Sequence, residues 1–531
     1  MFTPRLGQSL RACGIAAVAL VLSIIPGLTA AQGTVLKVIP YADLKVVDPI
    51  WTTSTITTHH SYMIYDTLVA MDENFNVQPQ MLEKWDISDD GMTYTFTLRD
   101  GLRFHDGAAV TSKDCIASIK RWGSRDVAGQ MLMSRTDSLQ AVNDKSFTLK
   151  LKEPFGQVLE AMGKLAANIL FIMPERIANT DSSEQIKEFV GSGPFKFVES
   201  EWVPGSKAVY VKNEDYVPRS EPPSMLAGGK VVKVDRVEWY YVPNKSTAMA
   251  ALNAGEFDFY EAPSIDLLPM VQKNPGIKVE VLNPVGLQVA MRPNSKIPPF
   301  NNEKARQALQ YLVDQTEYMT AMVGNPEYWH TCDSLFWCGT PVATNAGGGE
   351  RLLTKDLEKA KALMKESGYA GERVVLMDPT DHPSHAAALV TASNLRKIGV
   401  KVDVQAMDWA TLTQRRASKK PQDDGGWNIF HTRFNGASSS NPITHIGINT
   451  NCDKAWFGWP CDDAAEALKA KWVNEADPTR KKEIIEEYHA RLMQVAPFTP
   501  VGLYAIPSAY STKLKGVLRT PTMVLWNISK D

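Results

Sequence analysis

The sequence lacks the short motifs that identify several large classes of enzyme. It contains no G-x-S-x-G nucleophile elbow, no H-E-x-x-H zinc motif and no Walker A loop. The glycine-rich stretch that begins at Gly191 has Lys196 where a dinucleotide-binding motif requires its third glycine. We therefore expect that the protein is not an enzyme and that it binds no cofactor. A catalytic triad assembled from scattered residues would leave no such motif, so an exported hydrolase stays open as an alternative.

Net charge and long apolar runs are also scarce. The formal net charge is −2, and no polybasic segment indicates binding to nucleic acid or to an anionic membrane. The one apolar run, residues 14–25, follows Arg5 and Arg11 and precedes small residues that end at Ala31. This order predicts a secretory signal peptide over residues 1–31, because the run is shorter than the ~20 residues of a membrane span. We expect the mature protein in the periplasm.

Cysteine is scarce too, and its spacing matters because disulfides persist in exported proteins. The sequence contains six cysteines, and one of them falls in the predicted signal peptide. Two close pairs predict the disulfides Cys332–Cys338 and Cys452–Cys461, although four cysteines allow three pairings. Cys115 remains, and it shares one face of a predicted helix with apolar residues. We expect it to be a buried free thiol.

Cysteine and histidine side chains can also bind metal ions. Three groups have suitable side chains: His330 with Cys332 and Cys338, the pair His59 and His60, and the pair His382 and His385. An oxidising compartment favours disulfides over thiolate ligands. Lone histidine pairs in polar segments are more often solvated than bound to metal. We therefore predict no metal site.

Strand and helix patterns alternate along the whole chain. Residues 93–98 alternate apolar and polar side chains, and Asp100-Gly101 after them predicts a hairpin turn. Residues 356–368 and 477–495 have apolar stripes and capping residues that predict helices. Residues 301–319 predict a third, continuous helix. This mixture predicts an α/β or mixed α+β fold.

A longer motif is more specific than these patterns. Residues 82–122, "LEKWDISDDGMTYTFTLRDGLRFHDGAAVTSKDCIASIKRW", resemble a segment of the family 5 solute-binding proteins of bacterial ABC importers. Five shorter motifs follow in the order of that family: GSGPFKF, LNAGEFDF, FNNEKARQALQYLVDQ, DLEKAKALMKESGY and IGVKVDVQAMDW. The resemblance covers essentially all of the predicted mature chain. It implies a type II periplasmic binding protein fold, with two lobes joined by a hinge and an extra inserted domain.

The resemblance also implies a division into domains. Domain I comprises residues 32–73, 190–284 and 500–531. Domain II, the insertion that is specific to this family, comprises residues 74–189, and domain III, the second ligand lobe, comprises residues 285–499. The ligand is then expected between domains I and III.

Several candidate ligand-binding residues follow from positions that match the family. On domain I, Thr53, Ser54 and Thr55 stand where relatives pair with the main chain of the ligand. On domain III, Trp409 matches a pocket tryptophan, and Arg416 matches a pocket arginine seven residues later. These positions predict two facing walls of one binding site.

The stretch "HTRFNGASSSNP" matches a further part of the domain III wall. Phe434 stands where relatives have a tryptophan, and Ala437 stands where they have an aspartate that binds the α-ammonium group of a peptide. His431 matches a basic pocket position, and Asn435 and Ser438 complete the candidate wall. Because Ala437 has no charge, we expect ordinary peptides with a free α-ammonium group to bind weakly.

These features predict a periplasmic protein that encloses a small solute and delivers it to an ABC import permease. Aromatic and basic pocket residues favour a solute that is peptide-like, or otherwise amphiphilic or acidic. We expect a monomer that works with permease subunits in the inner membrane. A nickel- or metallophore-binding protein is the alternative within the family, and an exported hydrolase is the alternative outside it.

Overall fold

Three β-sheets of four or more strands organise the described part of the chain, which in this computed structural model is residues 33–165, 168–380 and 382–531. The predicted signal peptide, residues 1–31, lies outside these residues. Within this part, no helix has both the length and the hydropathy that a membrane crossing requires.

The seven-stranded sheet is assembled from distant parts of the chain. Its strands, from edge to edge, are Phe195–Phe197, Lys207–Lys212, Arg236–Tyr240, Val35–Ile39, Phe259–Tyr260, Ser508–Ser511 and Ile277–Glu280. Val35–Ile39 runs parallel to both of its neighbours, and the other pairs are antiparallel. The sheet therefore joins the first described strand to one near the C-terminus.

The six-stranded sheet forms the framework of a second lobe. Its strands, from edge to edge, are Trp329–His330, Thr499–Tyr504, Leu287–Pro293, Ile429–Asn435, Val374–Pro379 and Val402–Met407. Apolar residues on one face pack against the helices Glu303–Tyr311, Gln315–Met322, Leu357–Glu366 and Ser384–Lys397. The strand Thr499–Tyr504 spans residue 500, where the division drawn from the sequence begins the last part of domain I.

The four-stranded sheet lies within the predicted insertion. Its antiparallel strands are ordered Leu82–Ile87, Thr93–Leu98, Ser146–Leu151 and Thr136–Asn143. The predicted alternation along Thr93–Leu98 is confirmed, since every second residue is buried. The prediction of a hairpin turn at Asp100-Gly101 is wrong, because within the described residues no strand paired with Thr93–Leu98 follows it directly. Gly101 does adopt a turn conformation, with φ of +79°, but the chain then enters a loop and the helix Ser112–Arg125.

The remaining elements are short strand pairs and helices. The pairs are Asp66–Thr67 with Phe171–Ile172, Val69–Met71 with Val77–Pro79, and Leu514–Lys515 with Ser529–Lys530. The other α-helices are Thr55–Ile64, Val127–Arg135, Val158–Met162, Glu175–Ala178, Lys245–Asn253, Trp409–Arg415, Gly436–Ser439, Asp463–Asn474 and Pro478–Val495.

Capping aspartates decide where several helices begin. Asp356 and Asp477 accept backbone N–H groups from the first turns of the helices that the sequence predicts after them. The single helix predicted over residues 301–319 is instead two helices. Asp314 accepts the N–H groups of Thr316 and Glu317 and thereby starts the second one. An aspartate that precedes a helix stabilises the N-terminus of that helix. Asp314 therefore divides residues 301–319, whose sequence pattern predicts one helix, into two.

The cysteines have the arrangement that their spacing indicates. Disulfides join Cys332 to Cys338 and Cys452 to Cys461, and both lie in the chain segment around the six-stranded sheet. Cys115 is a buried free cysteine, and burial raises the pKa of its thiol. A thiol in this environment is unreactive because the thiolate is disfavoured.

Within its described residues, the chain crosses between the two large sheets at two places. One crossing lies between Glu280 and Leu287, and the other lies between Tyr504 and Ser508. Gly286 lies in the first crossing with φ of +24°, and a Cβ atom there would collide with the carbonyl oxygen of Tyr504. The two crossings therefore lie side by side, as expected for a hinge between two lobes.

Candidate ligand-binding cleft

A cleft with two adjoining chambers lies between the two large sheets. The first chamber has a volume of about 400 Å³, and the second has a volume of about 850 Å³. The chambers share Tyr41, Ala262, Arg433 and Ile506, which come from both lobes. Concave sites of this size between domains are typical of sites for small molecules.

Glu261 lines the first chamber on the side of the seven-stranded sheet. Its backbone N–H donates to Ile39 O at 3.0 Å, and its carbonyl oxygen accepts the Ser508 hydroxyl at 2.7 Å. The side-chain Oε2 accepts the backbone N–H of Tyr41 at 2.8 Å, and Oε1 lies 3.3 Å from His59 Nδ1. Backbone and side-chain contacts from three chain segments therefore fix this carboxyl group at the surface of the chamber.

The contact between Glu261 and His59 is not an ion pair. Burial lowers the pKa of His59 to about 3, so its imidazole is neutral at physiological pH. Burial also raises the pKa of Glu261 to about 8, and the hydrogen bond from Tyr41 offsets only part of this. Throughout the described residues, no Lys or Arg nitrogen lies within 4.0 Å of the Glu261 carboxyl group.

Arg433 lines both chambers from the opposite lobe. It belongs to the strand Ile429–Asn435, and its Nη1 donates to the Tyr504 hydroxyl at 2.8 Å. Within residues 33–165, 168–380 and 382–531, no carboxylate lies within 4.0 Å of its guanidinium group. Asn435 lines the first chamber, and its Oδ1 accepts the N–H of Ala437 at 2.9 Å.

His431 and Phe434 were predicted to contact the ligand, but they pack in the interior of their lobe. His431 is fully buried, with Nε2 2.8 Å from Thr391 Oγ1, and burial lowers its pKa to about 3. The Phe434 ring packs against Trp456 and Phe498. Side chains alternate along a strand, so Phe434 points to the face opposite its neighbour Arg433. The polar residue that reaches the chambers from this strand is therefore Arg433 rather than His431.

Trp409 and Arg416 lie together beside the second chamber. The Trp409 ring stacks on His382, which lines that chamber, with 4.0 Å between the ring centroids. The Arg416 guanidinium lies 4.7 Å from the centroid of the Phe457 ring and 5.2 Å from that of Trp456. Burial lowers the pKa of Arg416. The structure thus brings this predicted pair to one place at the edge of the cleft.

The other predicted residues divide between the cleft and the framework. Thr55 lines the first chamber, whereas Thr53 is exposed and Ser54 is the residue before the helix that Thr55 begins. Ala437 is buried and Ser438 is half-buried in the short helix Gly436–Ser439.

Sequence reasoning missed Tyr41, His59 and Glu261. Glu261 comes two residues after the motif LNAGEFDF, and an isolated acid at the end of a short strand was its only signal. His59 and His60 were expected to be solvated, but both are buried on the helix Thr55–Ile64. Threonines around them hid the buried face, because the sequence of this helix shows no apolar stripe.

The described residues contain no group of three or more His, Cys, Asp or Glu side chains that could bind a metal ion. His59 and Glu261 together would supply two ligands. Beside His330, Cys332 and Cys338 are joined in a disulfide and offer no thiolate. Beside His382, His385 Nδ1 contacts the single carboxylate of Asp378 at 2.6 Å.

Comparisons with known proteins identify the class of this chain. Residues 76–454 match the family model described as bacterial extracellular solute-binding proteins, family 5 middle. A probable peptide ABC transporter periplasmic-binding protein of Sinorhizobium fredii is 42% identical over 491 residues, which are 92% of each chain. A glutathione-binding protein of Pectobacterium atrosepticum is 25% identical over 488 residues, which are 90% of each chain.

Solved structures share the fold. A dipeptide-binding protein from Pseudoalteromonas sp. SM9913, in complex with Met-Leu, has a TM-score of 0.75 at 21% identity. The similarity covers 94% of this chain and 100% of the dipeptide-binding protein. The architecture is that of type II periplasmic binding proteins, with two hinged lobes around a cleft.

A cleft between two lobes, in a chain that matches a solute-binding family over most of its length, defines the class of solute-binding proteins. The chain belongs to the bacterial extracellular solute-binding proteins of family 5. It captures a small solute and serves an ABC importer, as the sequence analysis predicts.

Proposed function

We propose that the chain is exported to the periplasm and captures an amphiphilic, peptide-like solute that has a carboxylate group. Arg433 supports this proposal most directly. It lines both chambers, donates to a neutral hydroxyl group and has no carboxylate within 4.0 Å in the described chain. A guanidinium group that faces a cleft is suited to bind a carboxylate through two parallel hydrogen bonds.

The nature of the relatives agrees with such a solute. One relative is named for peptides and another for glutathione, and both kinds of molecule have a carboxylate. Trp409 and His382 present a stacked aromatic surface at the second chamber, which suits an apolar part of the solute. Thr55 and Asn435 supply polar groups in the first chamber.

The proposed mechanism is binding followed by closure, without catalysis. The solute would contact both lobes and so stabilise the closed arrangement about the two crossings of the chain. A monomer in this closed form would dock on permease subunits in the inner membrane. Sheet membership supports the division into three domains drawn from the sequence, with the strand Thr499–Tyr504 added to domain III.

The test begins with the solute itself. Native mass spectrometry of the protein from its own host should show a bound species with a carboxylate, and the purified solute should raise the melting temperature. Replacing Arg433 by Gln should weaken its binding roughly 10–100-fold, because a hydrogen bond between charged groups contributes about 1.5–3 kcal/mol. Calorimetry measures this loss.

Arg480 provides a matched control because it is a half-exposed arginine that pairs with Glu483 on a surface helix. Arg480→Gln should leave the affinity unchanged. Equal losses in the two variants would contradict the proposal. Affinity that disappears with a chelator would support the metallophore alternative instead, and chemical turnover of the solute would support the hydrolase.

A further inference from the structure

Glu261 is a carboxyl group that borders the cleft and has no positively charged protein group within 4.0 Å among the described residues. Among the described residues that line the first chamber, it is the one carboxylic acid. Its side chain is 15% exposed, so it is largely withdrawn from solvent but still borders the chamber. An acid in such a place destabilises the protein unless a counter-charge or several hydrogen bonds compensate for its lost hydration.

The protein groups around Glu261 do not provide that compensation. Three other titratable or charged side chains line the same chamber: Tyr41 from a loop, His59 from a helix and Arg433 from a strand. Tyr41 contributes one backbone N–H, and His59 is neutral because burial lowers its pKa to about 3. Arg433 lies on the opposite lobe and is not within 4.0 Å of the carboxyl group in the described structure. The carboxylate form of Glu261 therefore has no counter-charge from the described part of the protein, and a cationic group of the solute is the partner that would stabilise it.

We propose that Glu261 binds an ammonium group of the solute, which makes the solute a zwitterion held between Glu261 on one lobe and Arg433 on the other. This inference rests on the proposed function, because it adds a second charged group to the same solute. It also removes the need for an acid at Ala437. The two ends of the solute contact different lobes, so both contacts form fully only when the lobes close. Recognition of the zwitterion and closure are then the same event.

Proton release is a signature of this binding mode. Burial raises the pKa of Glu261 to about 8, so the group is a neutral carboxylic acid in the empty cleft at pH 6.5. An ammonium ion favours the carboxylate form. Binding at pH 6.5 therefore converts the acid to a carboxylate beside the ammonium ion and transfers about one proton per solute to the buffer.

The experiment uses four probes that differ only at their ends. These are trialanine, N-acetyl-trialanine, trialanine amide and N-acetyl-trialanine amide. Titration calorimetry of the full mature protein at pH 6.5, in buffers of different ionisation enthalpy, yields the affinity and the proton count. Trialanine should bind the wild type best and release about one proton. Acetylation should weaken binding roughly 10–100-fold and abolish the release.

The variant Glu261→Gln tests the residue itself. The glutamine Oε1 can still accept the N–H of Tyr41, so the local structure is preserved. The Glu261→Gln variant should bind trialanine roughly 10–100-fold more weakly than the wild type does. It should bind the acetylated probe as the wild type does, and it should release no proton. Glu261→Asp should recover part of the affinity for trialanine and part of the proton release. It restores a carboxyl group, but one methylene farther from the ammonium group of the probe. Glu256→Gln is the matched control, since Glu256 is exposed and lines neither chamber.

The outcomes separate this inference from the proposed function. A wild type that prefers N-acetyl-trialanine, or binds no probe with a free amine, overturns the role of Glu261. An effect of Glu256→Gln equal to that of Glu261→Gln does the same, because the loss of affinity would then not be specific to the cleft. Loss of affinity on C-terminal amidation and in Arg433→Gln tests the proposed function independently of the amine. Acetylation requires no mutation, so the inference stays testable if a variant fails to fold.

Discussion

Buried charges in the framework differ from charged groups in the cleft in whether an opposite charge touches them. In the framework, Lys230 Nζ lies 2.7 Å from Asp66 Oδ1, and both side chains are at most 1% exposed. The guanidinium of Arg121 binds Asp48 through two hydrogen bonds of 3.0 and 2.8 Å. Each of these carboxylates also accepts backbone or hydroxyl donors. These charges are satisfied before any ligand arrives.

In the cleft, the corresponding pairs are absent from the described structure. Glu261 and Arg433 line the same chamber from opposite lobes, and neither has an oppositely charged protein partner within 4.0 Å. A buried charge without a partner is costly, and a protein that pairs such charges elsewhere could pair these as well. This difference is the observation that supports the proposal of a zwitterionic solute held between Glu261 and Arg433.

The largest expected effect tests the framework side of this comparison. Asp66→Asn keeps the shape of the side chain but leaves the Lys230 ammonium buried without a counter-charge, near the Trp526 ring. We expect a loss of about 3–5 kcal/mol in the free energy of unfolding, measured by urea denaturation. Asp86→Asn, in an exposed pair with Lys84, is the control and should show no measurable change.

Arg433→Gln provides the contrast with Asp66→Asn. It should lower affinity for the solute while leaving the unfolding of the empty protein nearly unchanged, because the lost partner is one hydroxyl group. If Arg433→Gln destabilised the empty protein as strongly as Asp66→Asn does, the distinction between framework and cleft charges would be lost.

A smaller effect concerns acid pH and the interior histidines. Burial lowers the pKa values of His60, His431 and His445 to about 3 each, so these rings are neutral in the folded protein. The unfolded chain takes up protons below the ordinary pKa of about 6.5. Their contribution to stability is thus present above pH 6.5 and is lost as the pH falls toward 3. Melting temperatures should decline over this range, and His431→Gln should reduce the slope.

The smallest expected effect has the opposite sign and belongs to the cleft. The raised pKa of Glu261, about 8, means that the folded empty protein retains a proton that the unfolded chain releases. The resulting stability is fully present below the unfolded pKa near 4.5 and is lost as the pH rises through 8. The melting temperature of the empty wild type should fall relative to Glu261→Gln over that range. Parallel pH profiles for the two proteins would show that Glu261 is not in a desolvated site.

Local features of the fold were predictable where neighbouring residues supply the reason. Asp477 begins its helix as predicted, and the strand Thr93–Leu98 has the predicted alternation. The break at Asp314 was missed because an aspartate continues a helical pattern or caps a new helix according to the packing around it. The two close cysteine pairs were predictable for the same local reason, since short spacing brings their sulfur atoms together.

The sequence alone determined the family, the fold class and the absence of common catalytic motifs, because motifs and periodic patterns depend on residues close together in the chain. The tertiary structure decided which charges face the cleft. Tyr41 and Glu261 are 220 residues apart, and Arg433 reaches the same chamber from the other lobe. The tertiary structure also decided that His431 is buried and Arg433 is not. How deeply a strand residue is buried depends on the helices that pack against the strand. Burial and the charge of distant neighbours determine ionisation, and neither is a local property of the chain.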